Sequence, residues 1–175
     1  MNRRNWKLKE RRAEQKRNPN GFTLMELLIV MAIVLVLMLL AIPSIGALRK
    51  NANQLSAKKS IQAIQSAEMM YQSTYPANGF TCSLAALGGD ANGGTAPTPT
   101  AAQLLKSDLT SGFKDGYIFT ITNCSKVTVN GADRITAYTI TAVPQTVGKT
   151  GDSGFCADDN GIKSDPTGGT NCTQQ

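Results

Sequence analysis

Between Gly21 and Pro43 the chain runs for 21 residues, Phe22 to Ile42, with only two polar side chains, Thr23 and Glu26. A helix of that length at 1.5 Å per residue spans about 30 Å, the thickness of a bilayer's hydrocarbon core. No other stretch is comparably apolar. The run therefore predicts a single membrane-spanning helix, and whatever else the chain builds must hang from one end of it.

Glu26 is the anomaly in that helix. A carboxylate costs a few kcal/mol at the bilayer centre and less near the end, so it marks a function or a partner unless it snorkels to the headgroups. Gly21 supplies a partner. If the chain is cut there, Phe22 gains an ammonium four residues from Glu26, one helical turn away. That ammonium can pair with Glu26 of its own chain, or with Glu26 of a neighbour when helices pack together.

Residues 1–21 carry eight basic side chains (Arg3, Arg4, Lys7, Lys9, Arg11, Arg12, Lys16, Arg17) against Glu10 and Glu14. The rest of the chain carries ten basic and ten acidic residues, so the whole net charge of +6 sits in the leader. A body of zero net charge gives no footprint for strong nucleic-acid binding. The positive-inside bias instead keeps the leader cytoplasmic and sends the C-terminal body across the membrane.

The basic leader, Gly21, Phe22-Thr-Leu-Met-Glu26-Leu-Leu-Ile-Val and an apolar helix with Pro43 at its far end resemble the N-terminal methylation motif of type IV pilins and their pseudopilin relatives, over residues 17–45. The resemblance implies cleavage after Gly21 by a prepilin peptidase, N-methylation of Phe22, and packing of the helix into a filament core with Glu26 aiding assembly. It also implies a single-pass prepilin in the inner membrane, its N-terminus cytoplasmic, that ends in an extracellular or periplasmic filament. The implied partners are copies of itself or other pilins, the peptidase, the assembly platform and the membrane. The leader is longer than many in the family. Two competing accounts are a plain single-pass anchor and an ordinary secretory signal cut near Ser44-Ile-Gly46. Against the signal stand the long charged leader, the glutamate inside the run and an apolar core longer than the usual 7–15 residues.

Beyond Ile42, Pro43 predicts a kink or break, whereas the family reading carries the helix through it. Ala57, Ile61, Ile64, Glu68, Tyr71 and Tyr75 then form one stripe at 4-3-4-3-4 spacing, opposite Lys58, Lys59, Gln62, Gln65 and Ser66. Pro76 ends this amphipathic helix, for a spine about 75 Å long. Residues 76–116 read as a connector with a short element at Thr81–Leu87, a turn-rich loop from Gly88 to Thr100 and a short helix over Ala101–Leu109. From Gly116 the period changes to two. Tyr117–Thr122, Val127–Val129 and Ile135–Val143 read as strands, with a hairpin turn at Asn130-Gly131 and a last short pair near Gly154–Cys156 and Gly161–Lys163. The fold class expected is α+β, a long N-terminal membrane-spanning spine packed on a small antiparallel sheet, pilin-like. Its divisions are a leader (1–21), an assembly helix (22–45) and an exported body (46–175).

Cys82, Cys124, Cys156 and Cys172 all lie on the exported side, where disulfides form. Of the three pairings, Cys82–Cys124, tying connector to sheet, and Cys156–Cys172, tying back the tail, are favoured. A metal reading has no histidine and no C-x-x-C pair to rest on. Asp158-Asp159-Asn160-Gly161 is a candidate calcium turn, with Asp158 and Asp159 as ligands, though it lacks the longer ligand set of an EF-hand and suits an ordinary turn. The remaining C-terminal aspartates read as turn and solvent residues. No cofactor is expected. Without histidine there is no triad, and Gly148-Lys149-Thr150 lacks the first glycine of a phosphate-binding loop, Val143 standing in its place. The chain reads as a structural subunit rather than an enzyme.

Overall fold

A computed structural model describes residues 21–89, 95–158 and 160–172, without the side chains of residues 40–44. The leader to residue 20, the middle of the Gly-rich loop and Asp159 lie outside the described residues. The chain divides between Ile42 and Pro43 into two units.

One helix, α1, covers Leu24–Thr74 and runs on through Pro43 without a break, so the continuing-helix reading is the one found. It stops two residues before Pro76, whose ring cannot follow the α conformation of its neighbour. Within the second unit its buried stripe is Ala57, Ile61, Ile64, Ala67, Glu68 and Tyr71, with Ser60 beside it. Ile61 and Ile64 are fully buried. Removing each such side chain from water stabilises the fold by about 1.5–3 kcal/mol.

The stripe packs with the inner face of a five-stranded antiparallel sheet of order β1-β2-β3-β4-β5. The strands are β1 (Phe113–Lys114), β2 (Tyr117–Val129), β3 (Ala132–Pro144), β4 (Gly154–Asp158) and β5 (Gly161–Asp165). The alternation assigned from the sequence selects the correct faces. Tyr117, Phe119, Tyr138, Ile140 and Ala142 are buried, and Phe155 joins them from β4. Asn130 and Gly131 both take positive φ (52° and 80°), the type I′ turn that matches the twist of the flanking strands.

Three details depart from expectation. The two segments 117–122 and 127–129 form one strand of 13 residues, because an irregularity after Thr122, with Asn123 at φ 51°, absorbs the break in alternation. The short edge strand β1 was not anticipated. Ala101–Lys106 is not helical: the amides of Ala102, Gln103, Leu104 and Leu105 donate to the carbonyls of Ala86, Gly88 and Leu87. These carbonyls end the short helix α2 (Leu84–Leu87), so 102–105 lie against it instead of bonding to themselves. Only Ser107–Thr110 forms a turn of helix, α3.

Both disulfides have the favoured pairing, Cys82–Cys124 and Cys156–Cys172. The first spans 42 residues of sequence and, by the loop-entropy argument, limits the unfolded chain by about 4 kcal/mol.

Candidate processing and assembly site

The first unit holds the chemistry that singled out Gly21, Phe22 and Glu26. Thr23 is the residue before the helix, and its Oγ1 accepts from the Glu26 amide at 3.2 Å. Glu26 Oε2 reaches back to the Thr23 amide at 3.5 Å, and the Leu27 amide donates to the Thr23 carbonyl at 3.2 Å. This is a reciprocal capping box, in which two amides that a helix start leaves unpaired are satisfied by side chains. The carboxylate also lies in the first turn, where the helix dipole favours negative charge. Glu26 thus has a role the sequence reading missed, although its signal was present: Thr-x-x-Glu before an apolar run.

Gly21 is exposed, and a Cβ built on it would meet nothing within 4 Å. Its backbone is not in the left-handed region either. Nothing in the folded chain therefore requires glycine at 21. Any such requirement belongs to whatever handles the Gly21–Phe22 bond.

From Leu24 to Leu39 every described side chain of the helix is exposed, on all sides rather than along a stripe. A helix apolar all round is stable only when something apolar surrounds it. Among the described residues no helix is long and apolar enough to cross a membrane. The described side chains of this run stop at Leu39, sixteen residues into the helix, and about 24 Å falls short of a hydrocarbon core.

The other candidate residues lie in the second unit. Cys82 and Cys124 join the connector to β2, and Cys156 and Cys172 join β4 to the tail. Asp158 Oδ1 accepts from the Asn160 amide at 2.8 Å, and Oδ2 from the Lys163 ammonium at 3.1 Å. Burial alone would raise its pKa, yet the Asn160 and Lys163 contacts hold it below the usual carboxylate value. The cation at this carboxylate is therefore a lysine of β5. Among the described residues no group of three or more acidic or cysteine side chains is placed to hold a metal. Asp165, read from the sequence as a solvent residue, is buried. It accepts from the Thr167 hydroxyl and amide at 2.6 and 2.9 Å and from the Asn171 amide at 2.9 Å, which lowers its pKa. It organises the tail loop that Cys172 then locks.

Residues 16–42 match the family model of the prokaryotic N-terminal methylation motif, the signature of type IV pilins and pseudopilins. The match takes in Gly21, Phe22, the capping box and the apolar run. No curated protein and no solved structure matches the chain.

Proposed function

We propose that this chain is a structural subunit of a type IV pilus or a related pseudopilus, and not an enzyme. A peptidase cuts after Gly21, Phe22 becomes the N-methylated terminus, and the run Phe22–Ile42 holds the chain in the inner membrane as a single span until it packs with copies of itself or with other pilins. One observation carries the reading: the methylation motif opens a helical run, Leu24–Leu39, that is apolar on every side and has one carboxylate, held in its first turn. A second use of the same subunit, as a pseudopilin or minor pilin in secretion or DNA uptake, shares every step up to the filament's task.

The physical logic is one of register. An apolar helix gains little by exchanging lipid for another apolar helix, so assembly depends on packing and on charges that must find partners. A new Phe22 ammonium that meets a neighbour's Glu26 fixes the axial position, because a subunit docked one turn away leaves both charges unpaired. The capping box makes a clean test possible, since glutamine serves at that position as glutamate does. Glu26→Gln keeps the cap and loses the charge; Glu26→Ala loses both. Cleavage persists in each, and incorporation into sheared surface filaments drops about tenfold or more in both, as expected when a buried charge loses its partner. If the glutamine variant assembles normally while alanine does not, Glu26 is a helix cap and the register role is wrong.

A further inference from the structure

The connection from β3 to β4, residues 145–153, is fastened at several points. The Gly148 amide donates to the Gly151 carbonyl at 2.8 Å, and the Thr150 amide to Thr146 at 2.9 Å. Asn53 Nδ2 donates to the Thr150 carbonyl at 2.8 Å, and Lys50 pairs with Asp152 at 3.0 Å. The Tyr117 hydroxyl donates to the Ser153 carbonyl at 2.8 Å, beneath a Gly151 whose Cβ would collide with that ring. The fastening leaves the tip outward: Val147 is 56% exposed, and Lys149 is exposed beside it.

Between this tip and α1 lies an open groove of about 550 Å³, lined by Gly46, Ala47, Arg49, Lys50, Gly148 and Lys149. That is within the size range of small-ligand sites. Open space lies beside both of its glycines, since a Cβ at Gly46 or Gly148 would meet nothing within 4 Å. Three cationic residues line it. Lys50 has Asp152, but among the described residues neither Arg49 nor Lys149 has a carboxylate within ion-pair distance. Exposed apolar side chains, Ile45, Leu48 and Val147, accompany them. Basic and apolar side chains side by side mark surfaces that sit at an anionic bilayer interface. Residues 45–50 also follow the apolar run directly in the chain.

We propose that this groove binds the phosphate of an anionic phospholipid headgroup, with the Arg49 fork and the Lys149 ammonium on the phosphate oxygens and Val147 and Leu48 at the acyl boundary. The inference rests on the reading of Phe22–Ile42 as a membrane helix. It gives the β3–β4 loop a second attachment to the membrane, released when a subunit leaves the bilayer.

The test reconstitutes the full chain in phosphatidylcholine vesicles with or without phosphatidylglycerol and follows acylation of lysines by a water-soluble amine reagent, peptide by peptide. Lys126 is the internal reference: it is exposed and shares a pocket with Tyr71, 21 residues along α1 from Lys50, about 30 Å of helix. Anionic lipid is expected to reduce labelling of Lys149 about fivefold, the factor of roughly one cationic contact at such a surface, and to leave Lys126 unchanged. Arg49→Gln removes the difference. Equal labelling of Lys149 in both vesicles overturns the proposal. So does equal protection by inorganic phosphate in phosphatidylcholine alone, which would make the groove a free-anion site. Flotation separates the two levels: a chain that floats with neither vesicle overturns the membrane helix as well, while one that floats unprotected overturns the groove alone.

Discussion

Replacing Gly21 with glutamate is expected to abolish processing, leaving a chain with its arginine-rich leader intact and none in filaments. The structure makes this substitution unusually easy to interpret. Gly21 is exposed, has no positive φ, and leaves open space where a side chain would go. The capping box begins at Thr23 and does not involve residue 21. The variant is therefore expected to fold and insert as before, so that a block would report a lost fit to whatever cuts the Gly21–Phe22 bond. Intact mass is the measurement: the parent is expected to yield a chain that begins at methylated Phe22, and the variant full-length protein. Recovery of the variant with Phe22 at its terminus would place the specificity elsewhere.

The second large effect is expected from Glu68, in the body of the protein. Its carboxylate is fully buried; Oε2 accepts from the Thr81 amide at 2.8 Å, and among the described residues Oε1 has no partner. Among the described residues no cation lies within ion-pair distance of it. Burial outweighs the Thr81 hydrogen bond and pushes its pKa up from 4.5 to about 7. The folded state thus holds this proton more tightly than the unfolded chain does. Relative to full protonation, stability is lost as pH rises from about 4.5 to about 7, and the loss is then constant at roughly 3 kcal/mol. This runs opposite to the usual carboxylate effect shown by Asp158 and Asp165, whose lowered pKa values cost stability only as pH falls into the acid range. The chain has no histidine to blur the interval between. Denaturant unfolding of the processed chain in detergent, followed by near-ultraviolet circular dichroism, should show about 2–3 kcal/mol more stability at pH 5 than at pH 8. Glu68→Gln keeps an acceptor for Thr81 without a charge to desolvate and should flatten that profile. A parent protein equally stable at both values would mean the carboxylate is better solvated than its burial implies.

Glu68 also shows where reading the sequence stops. As one member of a 4-3-4-3-4 stripe it was placed on the correct face, because helical period alone decides which side chains share a side. That the face would bury a carboxylate beside the Thr81 amide depends on how residues 76–83 return across the helix, which no local pattern encodes. The connector repeats the lesson. Ala101–Leu109 has good helix formers, yet amides 102–105 bond to the carbonyls at the end of α2, and tertiary hydrogen bonding overrode propensity. The bulge at Asn123 is similar, since it merged two apparent strands by changing register against β3. Asp165 looked like any loop aspartate until its three donors, all within six residues, were seen to converge on it.

The primary structure by itself determined the apolar rod, its single carboxylate, the glycine before it, the charged leader, the faces of the strands and the Asn-Gly turn. These follow from residue type and period, which act over one or two turns of chain. Only the three-dimensional arrangement decided that Glu68 lies buried beside the Thr81 amide and that Lys149 comes to rest opposite Arg49 across an open groove. Each joins atoms whose separation depends on a hydrogen bond or a strand pairing elsewhere. The groove's two walls are about a hundred residues apart in sequence, brought together by an amide on Asn53 and an ion pair at Lys50.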